Sequence, residues 1–387
     1  MNNTKLFRKV ALAFVLFLLS QNEMIGQKQR ISLKDSIDGA IDLSDYIIYA
    51  HGFIVVPTII TEPALGGIGG AIVPVFLKKH APVIDENGKK RFINPDITGG
   101  IGMYTGNKSW MAGAFRSGSL IKPRILYRVM AGYGNMNLSF YENLPNGNDK
   151  EFKLNFKSTI FYTQWLKQFR NAKWSAGPQY LFLNSDIRLP DLNLNLPPSF
   201  VKPDDINSLV SQLGGAIQFD GRDNIFTPDK GIRIQSDFFW SDGAIGSDYD
   251  AWRVNLSAIG YYPISKKLIG GLRLEGEQAF GSPPFYLLPG INLRGIPAAR
   301  YQGKTSIVTE VELRWDLYRR WSLMGYGGLA SAFNDWDEAF AKPAVYNYGS
   351  GFRYLLARKF RLRMGVDVAR GPEDWAYYIV FGSNWLR

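Results

Sequence analysis

From about residue 52 onward the chain alternates apolar and polar residues with a period of two, and this constrains the fold more than any other feature. In Thr305–Tyr318, Ile307, Thr309, Val311, Leu313, Trp315 and Leu317 share one face, while Ser306, Val308, Glu310, Glu312, Arg314 and Asp316 share the other. Arg358–Ala369 sets Phe360, Leu362, Met364, Val366 and Val368 against Arg361, Arg363 and Asp367. Lys267–Phe280 sets Leu268, Leu272 and Leu274 against Arg273, Glu275 and Glu277. Phe152–Gln164 sets Phe152, Leu154, Phe156, Ile160 and Tyr162 against Lys153, Asn155, Lys157 and Thr163. A soluble sandwich also alternates. Strands of about ten residues or more, with long apolar side chains on one face and ionised ones on the other, instead fit a membrane-spanning barrel with a wet lumen. The expected fold class is all-β: a transmembrane antiparallel up-and-down β-barrel of about 16 strands, the last over 374–387. Tyr104, Trp110, Trp174, Trp240, Trp252, Trp321, Trp375 and Trp385 fall near strand ends, where aromatic girdles lie.

The N-terminus reads as an export signal. Lys5, Arg8 and Lys9 precede Val10–Leu19, the longest unbroken apolar run, and polar residues follow from Ser20. That run is too short to cross a bilayer as a helix. The expected organisation is a signal peptide over 1–26, a short periplasmic leader over 27–51 and an outer-membrane barrel over 52–387. Cleavage is placed after Gly26, with Ser20 the alternative. Within the leader, Ser44–Tyr49 can form a short helix capped by Asp42 or Ser44. It lies under the barrel, plugs it, or stays a plain leader.

With both termini periplasmic, connections after odd-numbered strands face outward. Those at 141–151, 185–205, 241–250, 334–344 and 370–374 are each net acidic. The opposite turns are mostly short and basic, with Lys122 and Arg124, Lys167, Arg170 and Lys173, Lys266 and Lys267, Arg319 and Arg320, and Arg358 and Lys359. The net charge of +11 is therefore spread over turns and lumen. It forms no basic stripe with interleaved aromatics, so nucleic acid is not an expected partner. The basic rim is either simply solvated or a docking surface for an acidic periplasmic partner.

One outward connection departs from this. Residues 281–303 are apolar and basic, with Arg294 and Arg300 among prolines and glycines. The flanking strands point Glu275, Glu277, Glu310 and Glu312 into the lumen. Unpaired charge in a confined space is costly. Arg294 folding inward to meet Glu310 or Glu312 satisfies both sides, with a forked geometry that lysine lacks.

Four segments carry a resemblance. Leu293–Ile296 (LRGI) resembles the [VLI]RG[FY] loop motif of the BamA/TamA superfamily, the bacterial surface antigen family of outer-membrane barrels. Phe219–Gly231 (FDGRDNIFTPDKG) resembles that family's turn between barrel strands, with Asp220, Arg222, Asp223, Pro228 and Gly231 at the matching positions. Pro284–Gly290 and Glu310–Trp315 resemble the segments before and after the loop. The resemblance covers about 52–387 and implies sixteen strands, eleven before the loop and five after it. It implies that Arg294 and Gly295 lock into the lumen against a strand carrying Glu310, Glu312 and Arg314. Two positions depart. Ile296 stands where the family has an aromatic residue, and Gly328 stands where the family often has an aspartate. The family's barrels are thought to open between first and last strands, a seam marked here by Pro57 and Trp385. Only 25 residues, Gln27–His51, separate the expected cleavage site from the first strand, so the chain resembles short members lacking POTRA domains.

By that resemblance the function is assistance in inserting or exporting outer-membrane or surface proteins, with a separate periplasmic partner. The alternative is a passive channel or a structural barrel without assembly activity. The expected partners are the lipid bilayer and lipopolysaccharide, periplasmic proteins and outer-membrane clients. An enzyme is not expected. The chain has no cysteine, no G-x-S-x-G elbow and no P-loop. His51 and His80 read as solvated or structural side chains, and neither cofactor nor metal site is expected.

Overall fold

The computed structural model describes residues 32–49, 53–60, 68–78, 80, 83–84, 90–91, 96–143, 149–169, 173–188, 201–339 and 343–385. The chain separates into residues 1–32 and 33–387. The expected signal segment, the start of the leader and His51 lie outside the described residues.

The second unit is built on one sheet of sixteen strands. In chain order these are β1 (Phe53–Ile60), β2 (Gly69–Lys78), β5 (Asp96–Thr105), β6 (Trp110–Leu120), β7 (Ile125–Asn143), β8 (Asp149–Phe169), β9 (Trp174–Arg188) and β10 (Asn207–Asp220). There follow β11 (Gly231–Ser241), β12 (Ala251–Pro263), β13 (Leu268–Gly281), β14 (Thr305–Tyr318), β15 (Trp321–Phe333), β16 (Val345–Ala357), β17 (Leu362–Arg370) and β18 (Trp375–Phe381). From β1 to β18 each pairs antiparallel with the next. A two-residue ladder, β3 (Val83–Ile84) with β4 (Lys90–Arg91), sits in the β2–β5 connection. β18 comes up beside β1. Among the described residues no hydrogen-bonded ladder joins that pair, so the ring is nearly closed.

Eleven strands precede the 281–303 loop and five follow it. Their inward and outward faces mostly follow the alternation. On β14, Ile307, Val311, Leu313, Trp315 and Leu317 are exposed, whereas Ser306, Val308, Glu310, Glu312 and Arg314 are buried. A strand rises about 3.3 Å per residue, so apolar side chains at every second position pave a continuous outward band suited to lipid.

β8 is a correction. Leu154, Phe156 and Leu166 are buried on the lumen side, and Lys153, Phe161, Trp165 and Phe169 point outward. The apolar face expected to meet lipid over 152–164 instead faces in. Phe140, Leu154, Phe156, Ile187 and Val201 form a cluster that receives Phe285 from the 281–303 loop. The loop buries this face, so Leu154 and Phe156 turn inward to meet it and Lys153 turns outward.

The C-terminal strand is shorter than expected. β18 ends at Phe381. Gly382 turns the chain with φ +77°, a left-handed conformation that disfavours a side chain. Beyond it Trp385 is buried inside the barrel, away from both the aromatic girdle and the seam.

Ahead of β1, α1 (Ser44–Tyr49) is the short helix expected. Asp42 accepts from the Ser44 amide at 2.6 Å, which satisfies one donor of the first turn.

Candidate functional site: an arginine-centred cluster in the lumen

The 281–303 loop runs back on itself: Ile291 N donates to Tyr301 O at 3.0 Å, and Gly303 N to Pro289 O at 3.0 Å. At its tip, Ile296 N donates to Leu293 O at 3.2 Å, with Gly295 at φ +84°. A hydrogen bond closing four residues, with positive φ at the third, describes a type II turn and calls for glycine there. A Cβ on Gly295 would also lie 2.9 Å from Gly371 N, so the tip fits only because the side chain is missing. Ile291, Leu293 and Ile296 bury themselves against Val308 and Ala330 of the wall. Ile296 thus fills the position of the family's aromatic with an apolar contact.

This turn projects Arg294 into a ring of acids. Arg294 Nε donates to Glu310 Oε1 at 3.0 Å, and Nη1 donates to Asp367 Oδ2 at 2.9 Å. Nη2 lies 3.1 Å from Glu312 Oε2, close enough for a charge contact but not aligned as a hydrogen bond. The guanidinium carbon sits 3.3 Å from the centroid of the Tyr326 ring. Such stacking suits arginine's flat, weakly hydrated cation. The loop backbone is held as well: Asn347 Nδ2 donates to Arg294 O at 2.9 Å, and Gly295 N donates to Tyr378 OH at 2.8 Å.

The acids around Arg294 have other partners. Arg273 Nη1 donates to Glu310 Oε2 at 3.1 Å, and its Nη2 to Glu275 at 2.6 Å. Arg353 grips Asp367 through two hydrogen bonds of 2.6 and 2.9 Å. Trp385 Nε1 donates to Glu310 Oε2 at 2.6 Å. Glu310 and Asp367 are fully buried. Each buried ion costs several kcal/mol in lost hydration, and that cost is offset only where partners are this well placed.

Of the residues singled out in the sequence, Arg294, Gly295, Glu310 and Glu312 come together here. Arg314 does not. It faces the other end of the barrel, where it pairs with Asp229, with Asp316 at 3.1 Å, and donates to Pro228 O at 3.3 Å. Asp229 and Pro228 belong to the 221–230 turn. There Asp220 holds Arg222 through bonds of 2.9 and 2.7 Å. Asp223 accepts from Asp229 N and Lys230 N at 3.0 and 3.2 Å and pairs with Arg361 at 2.6 Å. Burial raises the Asp223 pKa, but these amides and the Arg361 cation outweigh it and leave the carboxyl below its ordinary value. Gly231, at φ +105°, closes the turn against the Gly221 backbone. Asn224 Nδ2 donates to Phe360 O at 3.1 Å, and Ser383 N donates to Phe226 O at 2.7 Å. β10 and β11 lie across the ring from β17 and β18, so the turn spans one mouth of the lumen while the loop fills the other. Between loop and wall remains a cavity of about 800 Å³, bordered by Met136, Phe156, Leu288, Ile296 and Trp385.

Pro57 lies in mid-β1 opposite Ile72, and the β1–β2 ladder passes it without a register shift. Trp385, expected at the seam, is instead a lumenal hydrogen-bond donor to Glu310. Gly328 stands where the family's aspartate is often found, and a Cβ there would lie 2.8 Å from Asn347 Oδ1 and 2.9 Å from Leu293 Cδ2. The acid comes from β17 instead, as Asp367.

Solved structures share this architecture. A BamA chain from Haemophilus ducreyi lacking POTRA domains 1–3 matches with a TM-score of 0.56 at 11% identity, over 86% of this chain and 70% of that one. The likeness is to the barrel fold. CdiB from Escherichia coli matches with a TM-score of 0.54 at 11% identity, over 84% of this chain and 61% of that one. CdiB from Acinetobacter baumannii matches at 0.50 and 10% identity, over 85% and 58%. The chain thus spans about three fifths of the CdiB chains. No protein-family model and no curated protein matches the sequence. At such identities the likeness is one of fold. In this barrel the loop arginine is caged by acids from two strands.

Proposed function

We propose that this chain is an outer-membrane barrel that assists insertion or export of other outer-membrane or surface proteins, together with a separate periplasmic partner. In this reading residues 1–26 are the export signal, 27–51 the periplasmic leader and 52–387 the barrel. The acidic loops face outward and the basic turns face the periplasm. The observation that carries the reading is the β1–β18 junction: two short strands side by side, with no ladder between them among the described residues. Unpaired strand edges offer backbone donors and acceptors to an incoming strand. The cluster around Arg294 serves as the lock that ties β14 to β17, beside the seam, while that edge moves. The likeness in fold to BamA and CdiB supports the same reading. The passive-channel alternative fits less well, because loop and turn cross the lumen at its two ends.

Depletion of the protein tests the proposal. Levels of at least some other outer-membrane proteins should fall. Unchanged levels of all of them would sink it.

A further inference from the structure

The basic turns of this barrel are covered in part by its own leader. Arg320, between β14 and β15, is only 2% exposed. Its Nε donates to Asp38 Oδ2 at 2.8 Å and its Nη1 to Asp42 Oδ2 at 2.8 Å, while Nη2 holds Asp35. Nη1 also donates to the Ile41 carbonyl at 2.9 Å. In the β16–β17 turn, Arg358 pairs with Asp35 at 2.6 Å and Asp38 at 2.5 Å, and Lys359 pairs with Asp45 at 2.8 Å. Main chain joins in: Leu43 N donates to Leu356 O at 2.8 Å, Arg358 N to Asp42 Oδ2 at 3.0 Å, and Lys359 N to Ser44 Oγ at 3.0 Å. Charge neutralisation alone would not require main-chain bonds or a buried arginine. These acids form a fitted strap.

Its position in the chain matters more than its charge. The strap grips turns next to β14–β17, and α1 lies against residues 358–360. Yet Tyr49 is four residues from Phe53, where β1 begins. Four residues reach about 14 Å at most. The strap is therefore fastened on the β18 side of the seam and feeds directly into the β1 side.

We propose that residues 35–49 form a staple across the seam, holding the start of β1 close to β18, to which no ladder joins it among the described residues. This rests on reading the seam as the moving part, and it adds what restrains it. Parting of β1 from β18 at that end then requires the acids to leave Arg320 and Arg358.

The chain has no cysteine, so paired labels can be introduced cleanly. Spin labels at V55C and I379C, on the outward faces of β1 and β18, report the seam in purified protein. D35N/D38N/D42N loosens the strap from the leader side, and R358Q/K359Q loosens it from the barrel side. Tryptic cleavage after Lys34 reports release. In the parent the strap should be protected and the distance distribution single. Either variant, if it retains its folded gel mobility, should lose protection and gain a longer-distance population. Strap release with an unchanged distance distribution would overturn the staple. Equally fast cleavage in parent and variants would do the same. No client protein is involved, so failure of the depletion experiment and failure of this one are separable.

Discussion

Two arginines in this barrel are each held by three carboxylates, and the contrast between them is instructive. Arg294 sits on a loop and its acids, Glu310, Glu312 and Asp367, sit on the strands β14 and β17. Arg320 sits on a tight turn of the wall and its acids, Asp35, Asp38 and Asp42, sit on one short segment ahead of β1. In the first case the sheet presents a fixed acidic socket to an incoming cation. In the second the sheet presents a fixed cation to an incoming acidic strap. Glu310 and Asp367 are fully buried, whereas the Asp38 side chain keeps 18% exposure. Dry charges cannot be left unpaired cheaply, while wetter ones can return to water. The lumen cluster should therefore behave as a structural commitment and the strap as a reversible contact.

The largest effect is expected from R294A. It removes the cation shared by three buried acids, of which Glu310 keeps Arg273 and Asp367 keeps Arg353, and should cost about 3–5 kcal/mol. The temperature at which the folded gel band converts to the unfolded one should drop clearly. An unaltered transition would remove the arginine from the account of stability. W385F deletes one hydrogen bond to a charged carboxylate, worth about 1.5–3 kcal/mol, and should lower the same transition less. G328D introduces an acid beside the Arg294 cluster, but it crowds Leu293 and Asn347. Overpacking of this kind costs about 1–3 kcal/mol, so the variant should be destabilised; a gain in stability would show that the loop can shift to admit it.

The smallest effect on the barrel transition is expected from strap variants such as D38N. The strap's own pH response has a defined direction. The hydrogen bond from Arg320 pulls the Asp38 carboxyl down to about 2 from its ordinary 3.8, against the opposing effect of burial. For Asp42 burial pushes upward, but hydrogen bonds from Ser44, Arg358 and Arg320 prevail and hold it low. A depressed carboxyl contributes fully above its unfolded value and loses that contribution as pH falls through the folded one. Docking should persist from neutral pH to about 4 and fail only towards about 2. Hydrogen exchange of residues 33–49 across that range, corrected for intrinsic rates, checks this. Release near pH 6 would mean that something other than these acids holds the strap.

The strands were legible because a half-buried sheet leaves a period-two trace in every strand. β8 was the exception. Alternation assigns residues to two faces, but it does not say which face is inward when a loop packs inside the barrel. Phe285 decides that for Leu154 and Phe156, and it lies more than a hundred residues away. Arg294 was legible from its motif and from the unusual apolar loop around it. Asp367 was legible only as a lumen-facing acid, because its pairing depends on three-dimensional closure across β15 and β16. Arg314 was misassigned because a strand spans the whole lumen: residues two apart on one face can serve opposite ends. The strap left only a run of aspartates, which gains meaning once Arg320, Arg358 and Lys359 are gathered at one rim.

The strap's carboxylates are spaced along a single short segment, and this sets how it lets go. Once Asp38 is seated, Asp35 and Asp42 are confined near their targets, so their rebinding is intramolecular and governed by a high effective concentration. Loss of one contact is quickly repaired; loss of several together is not. Detachment should thus behave as a threshold event, in which a competitor must engage Arg320 and Arg358 at the same time to succeed.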